Sequence, residues 1–458
     1  MDWVESPARR YAVDGEVAVA VSLVKLLRPG MHLKRWVLLM IVGLVLSSLG
    51  LAYELTHVYR IQPLPEVAGV VTLQFIERPL RGALFILLGI GVIGLAALKL
   101  NQSIVSALSP NSTVNVVDRI YAYRARLRGP KIVAIGGGTG LSTALRGLKE
   151  LGQLTAIVTV ADDGGSSGRL RRDMGLLPPG DLRNCMVALA DAEPLMEKLF
   201  QYRFNHGSEL EGHSFGNLFI AAMTEVTGNF ELALQESSRV LAVRGEVFPS
   251  TLEDVTLCAE MEDSDTVQGE SNITEAGRRI RRVYLEPCSP QAHPDALRAI
   301  READFIVIGP GSLYTSIMPN LLVPGIAEAL AESAAYRVYV CNVATQPGET
   351  DGYSIEEHVA AIERHLPHLK PAAHIIDAVV ANNRLGLPMP ASGRVHPVRP
   401  IAPSLTGRGR PRVVFADIVD DGNSVRHDSI KLAVALMRLF EERGSSAVGA
   451  KLAGRRVW

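Results

Sequence analysis

Apolar positions follow two different rhythms along this chain. Before residue 131 they come in unbroken blocks: residues 36–53 are a run of 18 without a charge, and residues 82–98 a second run of 17. At about 1.5 Å per helical residue, each run approaches the roughly 30 Å of a bilayer's hydrocarbon core. Buried core helices would interrupt such runs with polar residues at helical spacing. The pattern therefore predicts a transmembrane helical hairpin, with spans at about 36–55 and 80–98. Lys25, Arg28, Lys34 and Arg35 precede the first run, Lys99, Arg119, Arg124, Arg126, Arg128 and Lys131 follow the second, and the connection holds Arg60, Arg78 and Arg81. That bias predicts both ends on the cytoplasmic side, hence a two-span membrane localisation with the large C-terminal domain in the cytoplasm.

From residue 131 onward short β-branched runs alternate with amphipathic ones. Residues 131–135 read as a strand, 136–140 as a glycine loop, 141–151 as a helix and 154–161 as the next strand, which together make a βαβ unit. Further strands are expected at 305–308, 337–341, 375–380 and 413–415, with helices at 326–335 and 355–365 between them. Residues 247–285 alternate around turn signals and predict a small antiparallel excursion. The expected fold class is α/β: a doubly wound, Rossmann-like, mostly parallel sheet behind the membrane hairpin. The domains are then 1–128 (anchor and linker), 129–445 (the α/β domain) and 446–458 (a tail).

A mean hydropathy of +0.17 is high for a soluble enzyme and agrees with the apolar blocks. Lys and Arg total 47 against 48 Asp and Glu, so the net charge of −1 offers no global basic field, and no nucleic-acid partner is expected. Cys185, Cys258, Cys288 and Cys341 stand far apart, which fits neither a disulfide framework nor a zinc site and predicts a reducing compartment.

Three loops carry candidate chemistry. In the first, Gly136, Gly137, Gly138, Thr139 and Gly140 permit a tight strand-to-helix turn that brings backbone close to a phosphate at a helix N-terminus. The G-x-G-x-x-G spacing fails at Leu141, which argues against a nicotinamide dinucleotide, and no Gly-Lys-Ser/Thr of a P-loop follows. In the second, Asp162 and Asp163 end a strand and Asp181 returns from a proline-set turn, a set that could hold Mg²⁺ through one or two carboxylate oxygens. Ser166 and Ser167 would line an anion nest beside Arg169, with Asn184 nearby. Asp162 also stands where a dinucleotide fold places its ribose-binding acid. In the third, Gly309, Gly311 and Ser312 follow a buried strand, and Asn320 and Asn342 lie after it, amides suited to a base edge or sugar hydroxyls. Gly212 to Gly216 spells G-x-S-x-G, but no buried strand precedes it, so a serine nucleophile is not expected. His213 and Asn217 instead read as polar groups at a helix start, facing the site or capping the helix.

Read together, GGGTGLSTALRGLK, TAIVTVADDGGSSGRLR, LPPGDLRNCMVALAD, GHSFGN, IGPGSLYTSIMPNLLVPGIAEAL, CNVATQPGETDGY and VRHDS resemble the bacterial gluconeogenesis factor family over residues 131–439. That family is related to the 2-phospho-lactate transferases of deazaflavin coenzyme biosynthesis. The resemblance implies binding of a nucleotide-sugar such as UDP-N-acetylglucosamine, support of cell shape and cell-wall synthesis, contact with cell-wall synthesis proteins, and a homo-oligomer. The transferase relatives imply Mg²⁺ and a guanosine diphospho-lactate donor. Carried over by motif, the metal-type aspartates resemble Asp162 or Asp163, and Asp181. The nucleotide side resembles the loops at 136–140 and 309–312, with Asn320 in PNLLVP and Arg426 in VRHDS as further contacts. The reading favoured is a binding protein without turnover; the alternative is a Mg²⁺-dependent transferase of a phospho-lactate type group.

Overall fold

A computed structural model describes residues 42, 44–50, 52, 73, 75–108, 126–191, 194–206, 209–367, 369, 374–388, 395–398 and 411–454. Two compact units divide the chain, Met1–Ala125 and Arg126–Trp458. The first contributes helix α1 (Arg78–Leu108).

The second unit alternates strands and helices. Its first half holds β1 (Lys131–Gly136), α2 (Gly138–Leu148), β2 (Gln153–Val158), α3 (Gly165–Met174), α4 (Gly180–Leu189), α5 (Pro194–Gln201), α6 (Phe215–Thr227), α7 (Phe230–Val240) and β3 (Glu246–Pro249). An excursion of β4 (Thr256–Met261), β5 (Thr266–Gln268), α8 (Glu270–Ala276) and β6 (Ile280–Glu286) follows. The chain then returns through α9 (Pro294–Glu302), β7 (Phe305–Ile308), a π-helical turn (Leu313–Ile317), α10 (Met318–Leu321), α11 (Ile326–Glu332), β8 (Tyr336–Val340), α12 (Ile355–Arg364) and β9 (Ala378–Asn382). It ends with β10 (Arg412–Ala416), a ribbon of β11 (Val419–Asp420) and β12 (Asn423–His427), and α13 (Ser429–Gly454).

Seven strands form one sheet in the order β10-β9-β8-β7-β1-β2-β3, and every neighbouring pair is parallel. Helices cover a parallel sheet on both faces, so its strands read as unbroken apolar runs. Accordingly Ile132 to Ile135 and Phe305 to Ile308 are buried. Helix α2 buries Leu141, Ala144, Leu145 and Leu148, the i, i+3, i+4, i+7 stripe of a helix lying on a core. The antiparallel excursion is a separate three-stranded sheet, β5-β4-β6. It is shorter than its sequence pattern predicts, because residues 246–249 pair in parallel with β2 as the sheet's edge strand.

The transmembrane hairpin is a different matter: among the described residues no helix is long and apolar enough to cross a membrane. In α1 the apolar stretch is the 17 residues between Arg81 and Lys99, about 25 Å of helix, short of the roughly 20 residues a span requires. Of the run at 36–53, the described residues are 42, 44–50 and 52, and the rest lies outside them. The expected hairpin and the two-span localisation are corrected together.

Candidate functional site

In an open parallel sheet, ligands bind outside the carboxyl ends of the strands, where neighbouring connections leave in opposite directions. Here that point lies between β1 and β7: β2 and β3 extend to one side of β1, while β8, β9 and β10 extend beyond β7. Pairing of Ile135 with Ile308 puts the two glycine loops side by side. Gly138 adopts φ +63°, a left-handed conformation that favours glycine. At Gly140 a Cβ would stand 2.7 Å from the Pro310 carbonyl oxygen and 2.9 Å from the Gly311 nitrogen, so the loops approach backbone to backbone. Two asparagines hold this arrangement. Asn342 donates to the Gly311 carbonyl at 2.8 Å and accepts from its N–H at 3.3 Å. Asn320, fully buried, donates to the carbonyls of Gly136 at 3.0 Å and Ser316 at 2.7 Å.

Above these loops opens a crevice of about 460 Å³. Of the residues singled out in the sequence, Gly137, Gly138, Thr139, Gly140, Gly311, Ser312, Asn342, Arg426, Asp162 and Asp181 line it. Asp162 follows β2 and accepts from the Gly164 N–H at 2.9 Å. Asp181 lies in the first turn of α4 and accepts from the Gly138 N–H, which ties that helix to the first glycine loop. Burial, then repulsion from Asp162, pushes the Asp181 carboxyl up to about 7. Asp162 is likewise raised, chiefly by burial. The charge of Arg183, itself lowered to about 10 by burial, acts against the rise on both carboxyls.

The remaining predicted residues lie behind or beside the crevice. Gly136 and Gly309 do not line the crevice; the Gly309 N–H donates to the Ile135 carbonyl at 2.8 Å. Asp163 accepts from the Ser271 N–H at 2.9 Å, so it fastens α8 rather than lining the crevice. Ser166, Ser167, His213 and Asn217, all buried, and the half-buried Asn184 form a polar cluster joining α3, α4 and the start of α6. Ser166 Oγ meets His213 Nδ1 at 3.1 Å, Asn217 donates to Ser167 Oγ at 3.4 Å, and Arg183 donates to Asn184 Oδ1 at 2.7 Å and to the Ser214 hydroxyl. Burial, followed by the charge of Arg169, lowers His213. No group of three or more His, Cys, Asp or Glu among the described residues is arranged to hold a metal ion by itself.

Sequence reasoning missed three residues. Glu270, in the first turn of α8, lines the crevice; burial and the charges of Asp162, Asp181 and Glu349 raise its carboxyl well above the usual range. His427, at the end of β12, also lines it. Glu349 accepts from Thr315 Oγ1 at 3.1 Å, Gln346 Nε2 at 2.7 Å and the Tyr314 N–H at 3.2 Å, and burial pushes it up to about 7. Neither Glu270 nor Glu349 stands at a spacing that marks it; tertiary packing brings both in. The visible signals were motif membership, His427 beside Arg426 in VRHDS and Glu349 within CNVATQPGETDGY.

The 2-phospho-L-lactate transferase CofD family model matches residues 132–393. The gluconeogenesis factor of Bacillus subtilis is 50% identical over 320 residues, 68% of this chain and 99% of that protein. A Nostoc sp. relative, also named as a gluconeogenesis factor, is 46% identical over 425 residues, 91% of this chain and 92% of its own length. The crystal structure of a member of the UPF0052 family from Bacillus halodurans superposes with a TM-score of 0.63 at 46% identity, covering 68% of this chain and 99% of that one.

Proposed function

This chain belongs to the gluconeogenesis factor family and to the wider CofD family, and from that membership we propose that its crevice binds a nucleotide-sugar of the UDP-N-acetylglucosamine type without turning it over. The observation that carries this reading is the meeting of two glycine loops at the switch point of the sheet. There the N-terminus of α2 offers backbone N–H groups and the positive end of a helix to a diphosphate. Arg426, exposed on β12 and lining the same crevice, would grip the diphosphate through a charge-assisted, bidentate contact. As a binding protein the chain would report nucleotide-sugar supply to cell-wall synthesis and so support cell shape.

Mg²⁺ fits this site as a ligand-borne ion. Asp162 and Asp181 are two crowded, half-buried carboxylates, and Mg²⁺ is commonly held by one or two carboxylates with phosphates and waters completing the shell. It would neutralise charge on the diphosphate, while Asp162 and Asp181 orient that end of the ligand toward the α2 N-terminus.

The same carboxylate pair favours a second reading, transfer of a phospho-lactate type group. An acceptor hydroxyl would attack the donor's outer phosphorus, and a nucleoside monophosphate would leave with the bridging oxygen. One experiment separates the two: thermal unfolding of the full chain with UDP-N-acetylglucosamine, GDP or NAD, with and without Mg²⁺, followed by chromatography of the ligand. Saturation at about a hundred times the dissociation constant stabilises by about 2.7 kcal/mol. A shift with the UDP-sugar, recovered intact, is expected. A shift with GDP alone, or a consumed ligand, favours the transferase, and a shift with no nucleotide overturns both.

A further inference from the structure

We propose that His427 is a ligand-contacting residue of the crevice, its imidazole hydrogen-bonding a phosphate oxygen of the bound molecule and taking a proton from solvent as it does so. The inference rests on the nucleotide reading above and adds a contact and a proton to it.

Buried histidines normally satisfy their ring nitrogens, because leaving a buried polar atom without a partner costs about 1–3 kcal/mol. The buried histidines among the described residues are His213, His293, His358, His365 and His427. Four have a ring nitrogen engaged. His213 meets Ser166, His293 accepts from the Asp295 N–H at 3.2 Å, His358 meets the Ser354 carbonyl at 2.7 Å, and His365 accepts from the Val283 N–H at 2.9 Å. His427 has a partner at neither Nδ1 nor Nε2. It is 9% exposed and is the one histidine of the five that lines the crevice.

Its surroundings define what would satisfy it. Helix α2, across the crevice, has no acidic residue in its first turn and presents Gly138, Gly140 and Thr143. The residue before it on β12 is Arg426, and the one after, Asp428, is occupied accepting from the N–H groups of Ile430 at 2.9 Å and Lys431 at 2.8 Å. On β11, Val419 pairs directly with His427 and Asp420 follows it. Asp162, Asp181 and Glu270 complete the charged lining of the crevice. In the free protein burial lowers His427 to about 4. A phosphate at the α2 N-terminus supplies a hydrogen-bond acceptor for the unpartnered ring, and the imidazole becomes an imidazolium that donates to it.

The test is isothermal titration of the full chain at about pH 6, where free His427 is neutral, in two buffers of different ionisation enthalpy. The probes are inorganic pyrophosphate and UDP-N-acetylglucosamine. Wild-type protein is expected to take up close to one proton per ligand. His427→Asn should abolish that uptake and weaken binding roughly tenfold, whereas Arg426→Ala should weaken binding and keep the uptake. Unfolding temperature checks that each variant is folded, and His427→Gln repeats the test in a second side chain. Binding by wild type without uptake, or uptake undiminished in both His427 variants, overturns the assignment and leaves the nucleotide reading standing. Uptake with pyrophosphate but no binding of the nucleotide-sugar does the reverse. Failure of both probes to bind overturns both.

Discussion

A carboxyl group buried beside another has two reasons to keep its proton, and Asp181 has both. Its folded value of about 7 lies above the ordinary 3.8, so its contribution to stability is fully present below pH 3.8 and is lost as pH rises through 7. Glu349, also raised to about 7, acts with the same sign. His427 acts oppositely: lowered from 6.5 to about 4, it contributes stability above pH 6.5 that is lost as pH falls through 4. The ligand-free protein should therefore lose stability between about pH 6 and 8, and urea unfolding at both values measures it. Asp181→Asn should recover on the order of 2–4 kcal/mol at pH 8 and remove any stabilisation by Mg²⁺. A variant that keeps the full alkaline loss would show that Asp181 is ionised at little cost.

Elements were legible where their residues carry their own instructions. The strand at 131–136, the glycine turn and the helix after it form one unit because a β-branched run, a Gly at positive φ and an i, i+3, i+4, i+7 stripe each demand the same local structure. The edge strand β3 was not separable from the antiparallel excursion, since four residues, three of them buried in a row, leave their pairing partner undecided. Asp163 and Asp181 look alike as loop carboxylates in the sequence; only the position of α8 turns one toward Ser271 and leaves the other in the crevice. Glu270 enters the site on that same helix. The turn between β1 and α2 also sets a steric test. Gly140→Ala would drive a methyl into the Pro310 and Gly311 backbone, so it should destabilise by about 1–3 kcal/mol and weaken nucleotide binding, seen as a lowered Tm and a smaller ligand-induced shift. Unchanged binding would mean the loops can part without consequence for the crevice.

At the level of the whole chain, the comparisons divide the relatives by length. The Bacillus subtilis protein is nearly all matched by 320 residues of this chain, whereas the Nostoc protein is matched over 425, so the longer relative shares much of the N-terminal unit. The sheet order adds a temporal consequence. β1 lies inside the sheet between β2 and β7, yet β7 begins at Phe305, and the crevice is completed by Arg426 and His427 near the end of the chain. On a ribosome, β1 and β2 would emerge early and pair, leaving one flank of β1 with unpaired backbone groups and wholly apolar side chains until more than a hundred further residues have been made. Nascent chains stalled after β6 should consequently need chaperone cover or aggregate, and chains stalled beyond β7 should resist proteolysis around β1. Equal protease sensitivity of the two would mean that β1 is sheltered by something other than its neighbour in the sheet. A site whose walls come from both ends of one domain is, in the life of the molecule, the last thing to exist.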